Sequence, residues 1–404
     1  MTANVRPEPY NRVLIIGSGV IGLTTAYLLL ERGYGVTIIA KDFPSTRHLP
    51  KIASEASGAL WVPPARMVQP VKQTPLDPDV HHAGQIAMDE TLKKWSAYGE
   101  ERYIPLCKDS RNTGVYLREV VALSRKKIDR ASLERYKQMR GFRHSFSLIK
   151  EKGLSDGNGQ LKDAFAFVGP IIDPPKFGTW LIQECTRKGA HFIQGAIRGL
   201  LTQQADALKM TYGVQFIVNC SGLGSIELAG DKGMYPVRGS LLMVKNDGSL
   251  FPKIDFCVEG DHTSFGFDEI GQEINGCTYL FPRGENRLML GSFYQPNRWD
   301  HDVTLSSPYV QSMLTQCKNL CPRLSVLKDS DIQVTVGIRP ARKDQFRVEQ
   351  DPYEPCIFHN YGHYRWGMTL NWGSARDLVN LIDNAVTSLT RISSHEAIGK
   401  VSKL

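Results

Sequence analysis

A strand, a glycine turn and a helix open the chain, and this feature constrains the fold more than any other. The apolar run from Arg12 to Ile16 leads into Gly17-Ser18-Gly19-Val20-Ile21-Gly22 and then a helix-like run from Leu23 to Arg32. Gly33 breaks the helix, and a second strand from Gly35 to Ala40 completes a βαβ unit. Glycines let the backbone approach a pyrophosphate, and the helix N-terminus offers free N–H groups to it. We expect a dinucleotide-binding α/β domain, although a glycine turn without a ligand has the same pattern.

Apolar segments further along predict two sheets. A helix from Phe177 to Lys188 and strands at His191 to Ile193 and Phe216 to Cys220 return the chain to the parallel sheet. Strand-like runs between residues 239 and 340 indicate an antiparallel sheet that would form a substrate domain. These runs are Leu241 to Val244, Thr278 to Phe281, Arg287 to Tyr294 and Gln333 to Ile338.

Composition limits the classes of partner. No apolar run reaches the roughly 20 residues that cross a bilayer, so we expect no membrane partner. The net charge is +8, but the basic residues are scattered without interleaved aromatics, so we expect no nucleic-acid partner. The eight cysteines are far apart, and the closest pair, Cys317 and Cys321, is not a CxxC motif. We therefore expect reduced thiols and no metal site.

The last three residues, Ser402, Lys403 and Leu404, match the SKL peroxisomal signal. This signal is read by an import receptor at the very end of a chain. The sequence thus predicts a peroxisomal protein with that receptor as a partner, the alternative being a coincidence of three residues.

Several motifs in fixed order resemble those of the D-amino-acid oxidase and D-aspartate oxidase family, over nearly the whole chain. They are VLIIGSGVIGLTTA, ASGALWVPP, VNCSGLG before YPVRGS, TYLFP, GSFYQPNRWD, VGIRPARKD, and HNYG with NWGSARDL. The resemblance implies a Rossmann-like FAD-binding domain with an inserted mixed or antiparallel-sheet substrate domain. The FAD-binding domain would comprise residues 1–60, 165–238 and 345–390. Residues 61–164 and 239–344 would form mainly the substrate domain and connecting segments, and 391–404 a tail with the peroxisomal signal.

The same resemblance implies that FAD is bound non-covalently by short segments. These are Gly17, Ser18, Gly19, Val20, Ile21 and Gly22; Ala40, Lys41 and Asp42; Ser57 and Gly58; Ile197; Ser221 and Gly222; and Gly367, Met368 and Thr369. Many dinucleotide folds end the second strand with an acidic residue for the ribose, a place that an Ala-Lys-Asp run takes here. The Ser-Gly segment would equally fit a plain strand end with a glycine turn.

Three residues would bind the substrate. Arg339 matches the family arginine that holds the substrate carboxylate, a role that suits the guanidinium fork. Tyr279 would add a phenolic hydrogen bond to that carboxylate, and Tyr294 would shape the pocket. Without the resemblance, tyrosines in strands would be read as packing residues.

The implied reaction is oxidative deamination of a D-amino acid to a 2-oxo acid, ammonia and hydrogen peroxide. The α-hydrogen would pass as hydride to flavin N5, and oxygen would reoxidise the flavin. The protein would mainly position the reactants, so no acid or base is required. A helix beginning after Trp372 would stabilise the reduced flavin through its dipole.

One loop departs from the family pattern. Glycines or serines usually follow the HNYGH-like run, whereas this chain has His363-Tyr364-Arg365-Trp366-Gly367. Arg365 would either bind the side-chain carboxylate of D-aspartate or D-glutamate, or be a surface arginine stacked over Tyr364. An oxidase acting on an amine of a larger secondary metabolite is a third alternative. We expect His363 to be a structural histidine with satisfied hydrogen bonds.

Two other classes of protein fit part of the sequence. The opening βαβ unit alone would also suit a nicotinamide-dependent dehydrogenase, against which the remaining motifs argue. A flavin-binding descendant that has lost the reaction would keep the fold, because fold does not guarantee function. Retention of Arg339 and Tyr279 favours an active oxidase.

Overall fold

A computed structural model describes residues 11–45, 52–66, 82–343 and 345–401, with the backbone alone for 82–89 and 392–401. The predicted import signal, Ser402-Lys403-Leu404, lies outside the described residues. Within the described ranges, no helix is long and apolar enough to span a bilayer.

The described chain contains fourteen strands. They are β1 (Arg12–Ile16), β2 (Gly35–Ala40), β3 (Val115–Ser124), β4 (Arg143–His144), β5 (Asp163–Ile172), β6 (His191–Gln194), β7 (Phe216–Asn219), β8 (Met234–Lys245), β9 (Cys257–Phe267), β10 (Glu273–Arg283), β11 (Arg287–Pro296), β12 (Ile332–Arg342), β13 (Arg347–Gln350) and β14 (Ile357–Tyr361).

Ten α-helices accompany them. They are α1 (Val20–Glu31), α2 (His82–Leu106), α3 (Ser110–Thr113), α4 (Arg130–Tyr136), α5 (Ser147–Glu151), α6 (Pro174–Arg187), α7 (Leu201–Tyr212), α8 (Ser225–Leu228), α9 (Pro308–Leu320) and α10 (Gly367–Val401).

The six-stranded sheet has the order β13-β14-β7-β1-β2-β6 and is parallel except for the edge strand β13. Its centre is β1, where Ile15 lies opposite Ile38 of β2 and Val218 of β7. Strands that are buried on both faces need continuous apolar runs, which explains why the sequence predicted strands at RVLII and GVTIIA. One apolar cluster lies between this sheet and α1, α6 and α10, and another lies beneath α7 on the opposite face. The result is a three-layer dinucleotide-binding unit.

The eight-stranded sheet has the order β12-β8-β11-β10-β9-β3-β5-β4, and its ladders are antiparallel except between β3 and β9. α9 packs on one face with residues such as Val310, Met313 and Cys317. The opposite face includes Tyr279 and Phe281 and is turned towards the dinucleotide-binding unit. The two-sheet α/β fold predicted from the sequence is therefore confirmed.

Some predicted boundaries differ from the structure. Residues 165–172, assigned to the FAD-binding domain, lie in β5 of the eight-stranded sheet, and β8 of that sheet begins at Met234. The helix expected from Gly373 begins six residues earlier, at Gly367. α2 lies in the range assigned mainly to the substrate domain and connecting segments. It packs on α10, where the Trp95 indole donates to Asp377 at 2.6 Å.

Candidate active site

One cavity of about 1390 Å³ lies between the two sheets. Its walls come from the glycine turn after β1, the ends of β2 and β7, the loop 52–60, the start of α10 and the inner face of the eight-stranded sheet. Pockets for drug-sized ligands measure roughly 300–1,000 Å³, so this cavity has room for more than one small molecule.

The glycine turn forms the floor of one end of the cavity. Gly17 has φ +112°, and a Cβ there would lie 2.5 Å from the carbonyl oxygen of Cys220, so only glycine fits. α1 begins at Val20 with no acidic residue in its first turn, and the Val20 N–H donates to Ser54 Oγ at 3.3 Å. The remaining N–H groups of this turn, with the helix dipole, suit a pyrophosphate.

Gly22 was predicted to bind the pyrophosphate, but it is not among the residues that line the cavity. A Cβ at this position would clash with the carbonyl group of Gly17, whose carbon would be 3.0 Å away. The third glycine of the motif is thus required for close packing of α1 against the turn, and its contact with a bound pyrophosphate stays a prediction.

The end of β2 forms the far wall of this part of the cavity. Ala40, Lys41 and Asp42 line it together with Ile197 from the segment after β6. The Ser18 hydroxyl donates to the backbone oxygen of Asp42 at 2.5 Å, which joins the glycine turn to the end of β2. Arg198 also lines this wall, and sequence reasoning missed it because no motif marks its position.

The loop 52–60 crosses the middle of the cavity and contributes Ser57 and Gly58. A Cβ on Gly58 would lie 2.7 Å from the Tyr279 hydroxyl oxygen, so glycine is needed for the close approach of loop and strand. On β12, a Cβ on Gly337 would lie 2.5 Å from the Cβ of Ala56, so the same loop is packed tightly against a second strand.

Two further segments enclose the middle of the cavity. Gly222 follows β7 with φ +60°, while the Ser221 N–H and hydroxyl both donate to Asn219 Oδ1, at 3.1 and 2.7 Å. Opposite them lies the N-terminus of α10 with Gly367, Met368 and Thr369. The first turn of α10 contains no acidic side chain, so its dipole can favour negative charge in the cavity. The predicted start of this helix after Trp372 was wrong, because the apolar run before it is already helical.

Arg339 on β12 faces the cavity beneath the middle of the sheet. Its Nη1 donates to the carbonyl oxygen of Phe293 at 3.3 Å and its Nη2 to Ser292 Oγ at 3.2 Å. Within the described part of the chain, both partners are neutral and no carboxylate forms an ion pair with this guanidinium. A cation held in place by neutral acceptors is available to a bound carboxylate.

Tyr279 lies beside Arg339 in the same cavity and is 9% exposed. Burial raises its pKa to about 12, while hydrogen bonding with Ser292 and the charge of Arg339 act in the opposite direction. Its ring stacks on Phe281 with 4.1 Å between centroids. The phenol therefore stays protonated at neutral pH and can donate a hydrogen bond.

Tyr294 is paired with a histidine that sequence reasoning missed. Its hydroxyl lies 2.8 Å from Nδ1 of His262, and Cys277 Sγ lies 3.5 Å from the same nitrogen. Burial raises the pKa of Tyr294 to about 12. The pKa of His262 is lowered, first by burial and then by the charge of Arg365, so this histidine is neutral at pH 7. His262 and Cys277 are opposite each other on β9 and β10, a pairing that only the register reveals.

The atypical loop places Tyr364 and Arg365 on the cavity wall. Tyr364 has a left-handed φ of +47°, and the Arg365 guanidinium lies 4.7 Å from the ring centroid of Trp366. Stacking over Tyr364 was the expected alternative, whereas the observed partner is Trp366. Arg365 is exposed, so it lies where the cavity opens to solvent.

His363 differs from the expected satisfied histidine. It is 3% exposed and lines the cavity, yet neither ring nitrogen has a hydrogen-bond partner among the described residues. Its ring stacks on Phe346 with centroids 5.5 Å apart and planes at 11°. Burial lowers its pKa to about 3, so the imidazole is neutral with a donor and an acceptor unused.

A partly buried ion pair lines the cavity on the side of the eight-stranded sheet. Arg66 pairs with Glu259 on β9 and lies over the rings of Phe165 and Phe167, at 5.7 and 5.9 Å. No motif in the sequence indicates this role for Arg66. No group of three or more His, Cys, Asp or Glu side chains in the described ranges is placed to hold a metal ion.

These features fit an extended dinucleotide. The cavity has a glycine floor that a Cβ would fill, a helix N-terminus free of acidic side chains, and a buried histidine with unused polar atoms. Residues 12–381 match the family of FAD dependent oxidoreductases. The chain belongs to this family. It is therefore an FAD-dependent oxidoreductase, with FAD as its cofactor.

The sequence is similar to that of several D-amino-acid oxidases over nearly its full length. The chain is 28% identical to D-amino-acid oxidase of Rubrobacter xylanophilus over 379 residues, 93% of this chain and 97% of the relative. It is 26% identical to D-amino-acid oxidase of Fusarium vanettenii over 391 residues, with 92% and 97% covered.

Solved structures share the fold at lower identity. Glycine oxidase of Geobacillus kaustophilus superimposes with a TM-score of 0.68 at 18% identity, covering 93% of this chain and 95% of that one. L-alpha-glycerophosphate oxidase of Mycoplasma pneumoniae, solved with FAD bound, gives 0.65 at 16% identity, with 92% and 94% covered.

Proposed function

We propose that this FAD-dependent oxidoreductase is an oxidase that deaminates D-amino acids. The overall reaction converts the amino acid, oxygen and water into a 2-oxo acid, ammonia and hydrogen peroxide. The main support is Arg339, a guanidinium that faces the cavity beside the Tyr279 hydroxyl and has only neutral partners within the described ranges. Similarity to proteins named D-amino-acid oxidase in several organisms agrees with this chemistry.

The protein's part in this reaction is to position the substrate. The guanidinium of Arg339 keeps N–H groups free beyond the two bonds to Phe293 and Ser292, and these bind the α-carboxylate. Tyr279 stays protonated because its pKa is about 12, and it donates to the same carboxylate. A carboxylate fixed at two points leaves the α-carbon little freedom, which is how positioning lowers the barrier.

When bound, FAD would supply the redox chemistry as a two-electron acceptor that oxygen reoxidises. Gly17, Gly19 and the N-terminus of α1 would hold its pyrophosphate. The N-terminus of α10, at Gly367 to Thr369, would direct a positive dipole into the cavity, where it favours negative charge.

The proposed reaction is tested by peroxide release from the FAD-loaded protein with matched D- and L-amino acids. We expect activity with one or more D-isomers, among alanine, proline, aspartate and glutamate, and none with their L-partners. The Arg339→Met variant, with its flavin still bound, should lose this activity. If the flavin-bound protein released no peroxide with any amino acid of the panel, the result would contradict the proposal and favour an oxidase of a larger amine. Equal rates with L-isomers would contradict the assigned stereochemistry.

A second candidate is selectivity for acidic D-amino acids. Arg365 lines the same cavity as Arg339 and forms no ion pair within the described residues. Burial is the largest cause of the lowered pKa of His262, and the positive charge of Arg365 is the next. It would bind the side-chain carboxylate of D-aspartate or D-glutamate.

The Arg365→Gln variant tests this selectivity. We expect kcat/KM for D-aspartate to fall at least about tenfold relative to D-alanine, the cost of losing a charge-assisted hydrogen bond. Arg376→Gln is the control, because Arg376 also stacks on an aromatic ring, 4.4 Å from Tyr98, but does not line the cavity. An equal loss for both substrates would reject this candidate and leave the general reaction intact.

We also propose import into peroxisomes through Ser402, Lys403 and Leu404, which match a receptor-read signal. A peroxide-forming oxidase suits that compartment. A fluorescent protein fused to the N-terminus should co-localise with a peroxisomal marker, and removal of these three residues should disperse it. An unchanged distribution after their removal would contradict the proposal.

A further inference from the structure

Arg283, the last residue of β10, reaches across the interface between the eight-stranded sheet and the flavin-facing loop 52–60. It is 3% exposed. Its Nη2 donates to the carbonyl oxygen of Ser57 in a short hydrogen bond, and its Nη1 donates to that of Glu55 at 3.5 Å. Two backbone carbonyls of one loop are thus held by one guanidinium.

This arginine forms no ion pair within the described residues. The nearby Asp173 is instead paired with Arg287, at 3.3 Å. Burial lowers the pKa of Arg283 to about 10, an effect that the charge of Asp173 opposes. At neutral pH the side chain is still a cation, and its direct partners are carbonyl dipoles. A buried charge arranged in this way is costly, so its geometry is sensitive to any change of the loop.

The loop held by Arg283 contacts the start of α1 and two strands of the eight-stranded sheet. Ser54 accepts the N–H of Val20 at the start of α1, and Ala56 packs on Gly337, two residues from Arg339 on β12. Gly58 closely approaches the hydroxyl of Tyr279, which is on the same strand as Arg283. A displacement of this loop would therefore alter the flavin site and the substrate site together.

We propose that Arg283 is a positioning residue that fixes loop 52–60 against the eight-stranded sheet and so sets the geometry of both the FAD and the substrate sites. It acts through the backbone at Ser57 and Glu55 and does not line the cavity. The fork of the guanidinium is required, because two carbonyls must be reached from one buried side chain. The FAD part of this inference is independent of which amine is oxidised.

Arg283→Met and Arg283→Lys test this role in the full-length holoprotein. Methionine keeps much of the side-chain volume without donors, and lysine supplies a charge that reaches one carbonyl well. The control is Arg287→Met, which removes a half-exposed arginine from the same hairpin. The readouts are the FAD dissociation constant, the visible absorption spectrum of bound flavin, the KM and kcat of the amine substrate, and the melting temperature.

For Arg283→Met we expect the FAD dissociation constant to rise at least about tenfold, the scale of losing hydrogen bonds from a buried charged donor. The flavin spectrum should shift, and KM should rise together with a fall in kcat. Arg283→Lys should lie between this variant and wild type, and Arg287→Met should stay within about twofold of wild type.

A folded Arg283→Met protein with wild-type FAD affinity and spectrum would overturn the proposal, even if its melting temperature fell, because the role would then be structural only. If the methionine variant fails to fold, the FAD affinity and KM of Arg283→Lys test the proposal instead. Wild-type FAD affinity and KM in Arg283→Lys would overturn the requirement for a fork. Loss of amine oxidation without any change in FAD affinity or spectrum would count against the proposed flavin-site role.

Discussion

The guanidinium of Arg339 lies in space that only a glycine at position 239 leaves open. The two strands pair with Gly239 opposite Gly337, and a Cβ on Gly239 would lie 2.5 Å from Cζ of Arg339. The side chain of Arg339 thus folds back over β8 towards Ser292 and Phe293 of β11. Its orientation towards the cavity depends on this missing side chain.

Gly239→Ala should therefore displace the guanidinium. We expect the KM for D-amino acids to rise about tenfold or more, since a charge-assisted carboxylate contact is weakened. FAD affinity should be unchanged, because Gly239 lies on β8 of the eight-stranded sheet, whereas the glycine turn follows β1 of the other sheet. Gly35→Ala is a matched control, because its Cβ would meet neighbours only at ordinary distances of 3.5 Å and beyond. An unaltered KM would show that Arg339 does not bind the substrate in this orientation.

A second prediction concerns the glycine turn. Gly17→Ala should raise the FAD dissociation constant by two orders of magnitude or more, because a Cβ 2.5 Å from the Cys220 carbonyl oxygen forces the turn to move. Gly33→Ala is the control for backbone strain alone, since Gly33 has φ +86° and no atom within 4 Å of the added Cβ. Fluorescence titration of apoprotein with FAD gives both constants. Equal effects of the two substitutions would assign the loss to strain, not to the shape of the turn.

A third prediction concerns the stability of the protein in acid. Burial depresses the pKa of His363 from 6.5 to about 3, so the unfolded chain binds one more proton than the folded chain between these values. The free energy of unfolding should therefore fall as pH drops below 6.5, with His363 contributing up to about 1.4 kcal/mol per pH unit. Above pH 6.5 this contribution is fully present.

His363→Phe should flatten that dependence while keeping the stack on Phe346. Replacing two unpartnered buried nitrogens with carbon should also raise the melting temperature at pH 5. The comparison is made by thermal unfolding of the FAD-free protein, so that contacts of the His363 nitrogens with a bound cofactor do not contribute, with the exposed His191→Phe as control. A His363→Phe protein whose stability falls as steeply with acid as wild type would show that His363 is not the group responsible.

Local features of the sequence were the most predictable. The segment from Arg12 to Ala40 forms its own turn, helix and strand pair, so neighbouring residues contain most of the information. The role of Arg339 in carboxylate binding was predicted only from the family resemblance, because no local sequence pattern distinguishes a functional arginine on a strand. The structure then showed that Gly239 makes room for it, which depends on the pairing of β8 with β12.

Other features depend on contacts between distant segments. His262 meets Tyr294 across a sheet whose register shifts between β9 and β10, so alternation along either strand could not predict the pair. Arginine side chains are usually exposed. Arg283 is nevertheless buried against loop 52–60, and Arg66 is partly buried in its ion pair with Glu259 of β9. The start of α10 was misplaced because no local signal marked residues 367–372 as helical. In the structure these residues form the first turns of α10, and Tyr103 of α2 donates to the carbonyl oxygen of Met368 at 2.8 Å.

Anaerobic mixing of the FAD-loaded protein with D-alanine, D-aspartate and their L-enantiomers, followed by the visible absorbance of the flavin, tests the proposed oxidation of D-amino acids at Arg339. We expect that a D-isomer bleaches the flavin, that its L-partner does not, and that Arg339→Met abolishes the bleaching while retaining FAD. Bleaching of Arg339→Met at the wild-type rate, or reduction by both enantiomers alike, would contradict the proposed function.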